Sequence, residues 1–336
     1  MIFAKELGDA LRVSLTNDPR VVVLGEDIAD PYGGAFKVTR GLSTDFPARV
    51  RTTPISEGAV AGISAGLALA GKRPIAEIMF GDFLTLVFDQ VVNHIVKYQA
   101  MYAGQATCPV VIRAPSGGHR GYGPTHSQSL EKHFLGVPHL RVVAASLYHD
   151  PKDAFADFLG QDSPVLYIEH KLLYPQHLAL PTGGLVGDLL AAQDASPGAL
   201  PTVRLSAVPR HDCTMTVLAY GYQAMLAARV IERLAVEEEI FAELLVPAQI
   251  APMDWAPVER SVRATGRLIT VEEGVSGWSW GTEAAAVISQ RLFGELRRPV
   301  DVVASTPTVI PSSKQRESRM LVGEEQIEAA IRAAAA

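Results

Sequence analysis

Glu57 is the side chain with the clearest chemical potential in this sequence of 336 residues. It ends the run Thr52-Thr53-Pro54-Ile55-Ser56-Glu57, just after a strand-like stretch (Arg49–Thr53) and just before the apolar, Ala/Gly-rich stretch Ala59–Ala70. Open α/β sheets present their ligands at the carboxyl ends of strands. A carboxyl group beside so apolar a segment is partly desolvated, which favours its neutral, proton-donating form. The helix dipole alone also favours an acid at a helix N-terminus, so position by itself leaves both readings open. His126 is the second candidate. It follows Ser116–Gly123, a glycine-rich, polar stretch of the kind that forms a loop over a site. His119, inside that stretch, reads as a solvated loop histidine.

Three other matches to chemical motifs fail on physical grounds. Gly66–Lys72 fits the first seven positions of a phosphate-binding loop, but Arg73 stands where Ser or Thr must hold magnesium. Gly71, followed by Lys72, Arg73 and Pro74, reads better as a helix stop. Gly62-Ile63-Ser64-Ala65-Gly66 fits a nucleophile elbow, which needs a strained turn after a strand. Here the glycines lie one helical turn apart, a spacing that suits close helix–helix approach, between subunits among other places. His126 and His133 lie about two helical turns apart, too far to share one metal ion without a bend.

The elements that must position these residues alternate. Strand-like segments at Val21–Leu24, Arg49–Thr53, Pro74–Met79, Pro109–Arg113, Leu140–Ala144 and Pro164–Ile168 are separated by helix-like ones, including Phe83–Tyr102, Gln128–Phe134 and Pro151–Leu159. From Tyr174 to Asp212 prolines and glycines dominate, with one strand expected at Val203–Val208. A second alternating block runs from Thr214 to Val303, and Glu324–Ala335 closes the chain as a helix. The expected fold is α/β, with two parallel-sheet domains at 1–180 and 212–336 joined by a linker at 181–211.

Composition excludes several classes. Thirty Lys and Arg against 36 Asp and Glu leave a net charge of −6, with no basic run, so phosphate attraction cannot drive nucleic-acid binding. Cys108 and Cys213 make no disulfide framework and lack zinc-ligand spacing, as expected of a reducing, cytoplasmic setting. The longest uncharged apolar stretch, Gly58–Gly71, falls short of the ~20 residues a bilayer span needs.

One family gathers these features in order. Gly25-Glu26-Asp27, Tyr32–Leu42, Thr53–Glu57, Arg73–Ile78, Asp82-Phe83, Asp89–Asn93 and His126–Ser129 are followed by Ala251–Asp254, Val271–Gly274 and Gly281–Glu283. Together they resemble the β subunit of the E1 component of thiamine-diphosphate-dependent 2-oxoacid dehydrogenases, of the pyruvate and branched-chain type. The resemblance implies a transketolase-like pyrimidine-binding domain followed by a transketolase C-terminal-like domain. It implies that Glu57 hydrogen-bonds the cofactor's aminopyrimidine ring, that Phe83 packs on that ring and that Ile55 lines the same pocket. His126 matches the family's active-site histidine, which orients the 2-oxo acid or serves as acid or base when the acyl group passes to a lipoyl arm.

The chain has no Gly-Asp-Gly, the family's magnesium-diphosphate motif. The resemblance therefore implies an α subunit supplying that half of each site, in an α2β2 heterotetramer, with a lipoyl or other acyl-carrier partner. It also implies a potassium site near Val110, Phe158, Leu159, Gln161 and Ser163, where Gln161 replaces the usual acid. Two segments depart from the family pattern: Pro138-His139-Leu140, and Pro311–Glu317, where Pro-Tyr-Ala…Leu-Glu is usual. The departures keep open a ketol or acyl transferase serving a biosynthetic carrier, and a non-catalytic scaffold subunit is an alternative of a different class.

Overall fold

The computed structural model describes residues 1–336. The first half contributes strands β1 (Val21–Glu26), β2 (Val50–Thr53), β3 (Arg73–Glu77), β4 (Val111–Ser116), β5 (Arg141–Ala144) and β6 (Val165–His170). The second half contributes β7 (Leu185–Val186), β8 (Leu189–Asp194), β9 (Thr202–Ser206), β10 (Met215–Ala219), β11 (Ala242–Pro247), β12 (Gln249–Ala251), β13 (Leu268–Val275) and β14 (Asp301–Ser305). They form two seven-stranded sheets, ordered β12-β5-β6-β4-β3-β1-β2 and β14-β13-β10-β11-β9-β8-β7.

β1, β4, β6, β10 and β11 are buried along their whole length, as parallel strands covered on both faces must be. Their Val/Ile/Leu content satisfies that demand. The sheets are mixed, however, rather than purely parallel. β12 runs antiparallel to β5, and β7, β8, β9 and β11 form an antiparallel series. The stretch 181–211, expected to be a linker with one strand, holds β7, β8 and β9 and completes the second sheet. Prolines at 181, 197 and 201 flank these strands without interrupting them, which sheet pairing tolerates.

The helix expected over Phe83–Tyr102 is broken into a 3₁₀ stretch at Gly81–Val87, a π-helical turn at Gln90–Ile95 and a short α-helix at Tyr98–Met101. β-branched Val87, Val91, Val92, Ile95 and Val96 crowd a regular α-helix. The helix expected over Gln128–Phe134 is a single turn, Glu131–His133, because tertiary bonds capture its polar groups. Gln128 donates to Asp82, Ser129 donates to Glu273, and Glu131 accepts from Tyr220. Helix Pro151–Gly160 forms as its sequence directs, with Pro151 in its first turn and the Asp150 carboxylate accepting the Lys152 amide at 2.9 Å.

Beneath the carboxyl ends of the central strands lies a buried ion network. Arg113 on β4 pairs with Glu169 on β6 and Glu77 on β3, and the Tyr174 hydroxyl donates to Glu169 at 2.7 Å. Burial pulls the guanidinium's proton affinity down, but the two carboxylates outweigh it and hold Arg113 charged.

Candidate active site

Five neighbouring parallel strands, β2, β1, β3, β4 and β6, end on one rim, and each delivers a candidate group there. After β2 the chain turns through Pro54 into the helix Glu57–Leu69, so that Glu57 is its first residue and is buried. β1 ends on Glu26, also buried, whose carboxylate accepts the Ser56 amide at 3.0 Å. Burial, then the nearby charge of Glu57, pushes the Glu26 carboxyl above its ordinary range. β3 leads to Phe80 and Phe83. The glycine-rich loop after β4 carries His126, and Lys171 directly follows β6.

The structure brings Phe83 and His126 together. Their ring centroids stand 5.3 Å apart in an edge-to-face arrangement, and Phe80 lies 4.8 Å from His126 in the same manner. The Glu57 helix packs on the Phe83 segment closely enough that a Cβ at Gly58 would meet the Leu86 carbonyl at 3.5 Å. Lys171 is wholly buried and donates from Nζ to the His126 carbonyl at 2.6 Å. Burial lowers its ammonium to about 8, against the partial compensation of Asp82 and Glu273. Asp82 accepts from the Gln128 side chain at 2.8 Å.

The buried polar atoms around this rim with no partner within the chain include Thr53 Oγ1, Asp82 Oδ2, Gln90 Oε1, Ser116 Oγ and Ser127 Oγ. Orphaned groups beside an aromatic cluster and a buried carboxyl suit a flat, nitrogen-rich heterocycle supplied from outside. Ile55 does not join them. It is 82 % exposed and makes no part of the cluster within this chain. His119 is not the solvated loop residue its surroundings in sequence suggested. It packs 5.8 Å from the Tyr222 ring with its Nε2 3.4 Å from Glu273.

Glu273 was missed by sequence reasoning, although it lies in the quoted Val271–Gly274 string. Its carboxylate accepts from the Gly118 amide (2.7 Å), Ser129 (3.0 Å) and Gln223 (3.2 Å) and pairs with His170 at 2.9 Å. Burial raises its proton affinity, but His170 and His119 overcome this and hold the carboxyl well below the usual range. Lys171 and Glu26 were also missed. A charged run, Glu169-His170-Lys171, directly after the apolar stretch Val165–Ile168 was the available signal for the first.

The discounted phosphate-loop and nucleophile-elbow matches are ordinary helix. Gly71 ends its helix at φ 81°, and Ser64 is buried mid-helix with its hydroxyl bonded to the Val60 carbonyl at 2.8 Å. Gly62 and Gly66 face open space, not another helix of this chain. Around Val110, Phe158, Leu159, Gln161 and Ser163, the chain supplies its own positive charge. Arg73 donates to the Gln161 carbonyl at 2.6 Å and pairs with Asp162, while the Val110 carbonyl accepts the Val165 amide. Those five residues fit a potassium ion poorly.

Comparison with known proteins agrees with the two-sheet fold. Residues 2–176 match the transketolase pyrimidine-binding domain, and residues 206–327 match the transketolase C-terminal domain. A pyruvate dehydrogenase E1 component subunit beta from Leifsonia xyli is 36 % identical over 92 % of this chain and 88 % of its own length. The acetoin:2,6-dichlorophenolindophenol oxidoreductase subunit beta of Cupriavidus necator is 33 % identical over 97 % of this chain and 95 % of its own. A mitochondrial pyruvate dehydrogenase E1 beta-1 subunit from Arabidopsis thaliana is 32 % identical over 97 % and 86 %. Among solved structures, a split-gene transketolase described as an inactive beta4 tetramer shares the fold. Its TM-score is 0.73 at 21 % identity, covering 99 % of this chain and 98 % of that one. With the rim of Glu57, Phe83 and His126 in place, the chain belongs to the transketolase-like family of E1 β subunits of thiamine-diphosphate-dependent 2-oxoacid dehydrogenases.

Proposed function

We propose that this chain supplies the pyrimidine-binding half of a decarboxylating site for a small 2-oxo acid such as pyruvate, and that the acyl unit passes to a lipoyl carrier. The convergence of Glu57, Phe83 and His126 on one rim carries this reading. Bound there, thiamine diphosphate supplies the carbanion chemistry that no protein side chain provides. Glu57 is the group that hydrogen-bonds the pyrimidine ring nitrogen and holds a proton there. Phe83 packs on the ring. The His126 imidazole orients the oxo acid and moves a proton as the acyl group leaves.

The partner is an α-type subunit that brings the diphosphate and magnesium half, in an α2β2 heterotetramer. Support comes from the face around Glu57, where Ile55, Ile63 and Leu86 are exposed and Gly62 and Gly66 are open to close approach. Ile55 then meets the cofactor pocket from the subunit boundary rather than from within the chain. No helix is long and apolar enough to cross a membrane, and the proposed setting is the cytoplasm.

Reconstitution with an α-type subunit tests the proposal. Glu57→Gln keeps the shape but removes the exchangeable proton, and turnover of 2-oxo acids should fall by at least about a hundredfold. Full retained turnover would leave only a scaffolding role. A second reading, oxidation of acetoin in place of decarboxylation of pyruvate, is favoured by the Cupriavidus relative. Parallel assays with the two substrates separate them.

A further inference from the structure

The segment Pro311–Glu317, which departs from the family pattern, lies against the loop that carries His126. Gly121 and Gly123 have φ of 72° and 82°, a region that favours glycine. A Cβ at Gly121 would meet the Lys314 side chain at 3.3 Å, and one at Gly123 would meet the Ser312 hydroxyl at 2.9 Å. Glu317 is wholly buried, and its Oε2 accepts the Gly121 amide at 2.6 Å. Its Oε1 has no partner and stands 3.0 Å from where a Cβ at Gly118 would lie. The same loop is held at Gly118 by Glu273 and at His126 by Lys171.

A buried carboxylate that satisfies one amide and leaves an oxygen bare is a poor device for stability alone, since desolvation exceeds what one hydrogen bond returns. It is a good device for fixing one backbone amide. Arriving from 196 residues away in sequence, Glu317 fixes the middle of a loop whose two ends are held by other groups.

We propose that Glu317 is a positioning residue for His126: by gripping the Gly121 amide it sets the path of the loop and the reach of the imidazole toward Phe83 and the substrate. This rests on the role of His126 proposed above. The test uses the full chain reconstituted with its α-type partner. Amide hydrogen exchange over Ser116–Gly123 is followed beside steady-state kinetics for Glu317→Ala, the isosteric Glu317→Gln and His126→Gln.

The Glu317→Ala substitution should speed exchange in the loop about tenfold while leaving β4 and β13 protected. It should lower kcat about tenfold with KM and cofactor affinity within about twofold, and Glu317→Gln, which keeps an acceptor, should recover part of both losses. Should the Ala variant fold poorly, the Gln variant alone must still show the faster exchange and the lower kcat. Unchanged loop exchange, or faster exchange with unchanged kcat while His126→Gln is inactive, overturns the positioning role alone. Full turnover by His126→Gln overturns the catalytic assignment of that histidine and the proposal with it.

Discussion

Lys171 is a charged side chain with no solvent contact, and its donation to the His126 carbonyl is strengthened by charge only while the amine is protonated. Burial lowers that ammonium to about 8, so at neutral pH it is charged and a few tenths of a unit of alkali begins to empty it. The reconstituted enzyme should therefore lose kcat/KM on the alkaline side with a midpoint near 8. Lys171→Arg, charged throughout the accessible range, should abolish that limb if the longer side chain is accommodated. Lys171→Met should lower kcat about tenfold and also erase the limb. A pH–rate profile of the three proteins decides it. An alkaline limb that persists in Lys171→Met would assign the titration to another group.

The rim is assembled by elements, and the network under it holds them in register. Arg113 ties β4 to β3 and β6 through carboxylates that have no other cation. Replacing it with Met leaves Glu77 and Glu169 buried without a counter-charge, and stability to denaturant should fall by about 3–5 kcal/mol. Urea titration of the variant against the parent measures this. The elements were legible in the sequence to the extent that their reasons were local. The apolar run Val21–Leu24, the Asp150-Pro151 helix start and the Gly71 helix stop all carry their cause within a few residues. The breakdown of Phe83–Tyr102 also has a local cause, its β-branched run, whereas the loss of a helix at Gln128–Phe134 has causes more than 40 residues away, in Asp82, Tyr220 and Glu273. The strings around Glu57, Phe83 and His126 carry their own signal, whereas Glu273 on β13 and Glu317 on the short helix Lys314–Glu317 act by reaching across from the second half of the chain.

At the scale of the molecule, the two halves share continuous apolar cores, and ionisable groups are buried where they meet. Glu131 of the first unit is buried against the Tyr220 hydroxyl of the second at 2.6 Å, and burial pushes its carboxyl up to about 7 against the smaller opposing pull of that hydroxyl. In the unfolded chain the same group titrates near 4.5. Between those values the folded state binds the extra proton, so this group's contribution to stability is greatest below about 4.5 and is lost as pH rises through 7. Glu131→Gln imitates the protonated form. It should match the parent near pH 4.5 and exceed it by roughly 3 kcal/mol at pH 8. Denaturation of both proteins across that range checks the sign, since the remaining titrations cancel in the difference. Equal stability at both pH values would show that the carboxyl ionises freely.

The short strand β12 leaves the second half of the chain to complete the outer edge of the first half's sheet, on β5. Severing the protein at its middle would thus strip a neighbour from β5 and bare a row of backbone donors and acceptors. An N-terminal fragment made by itself would be expected to stick to copies of itself along that bared edge.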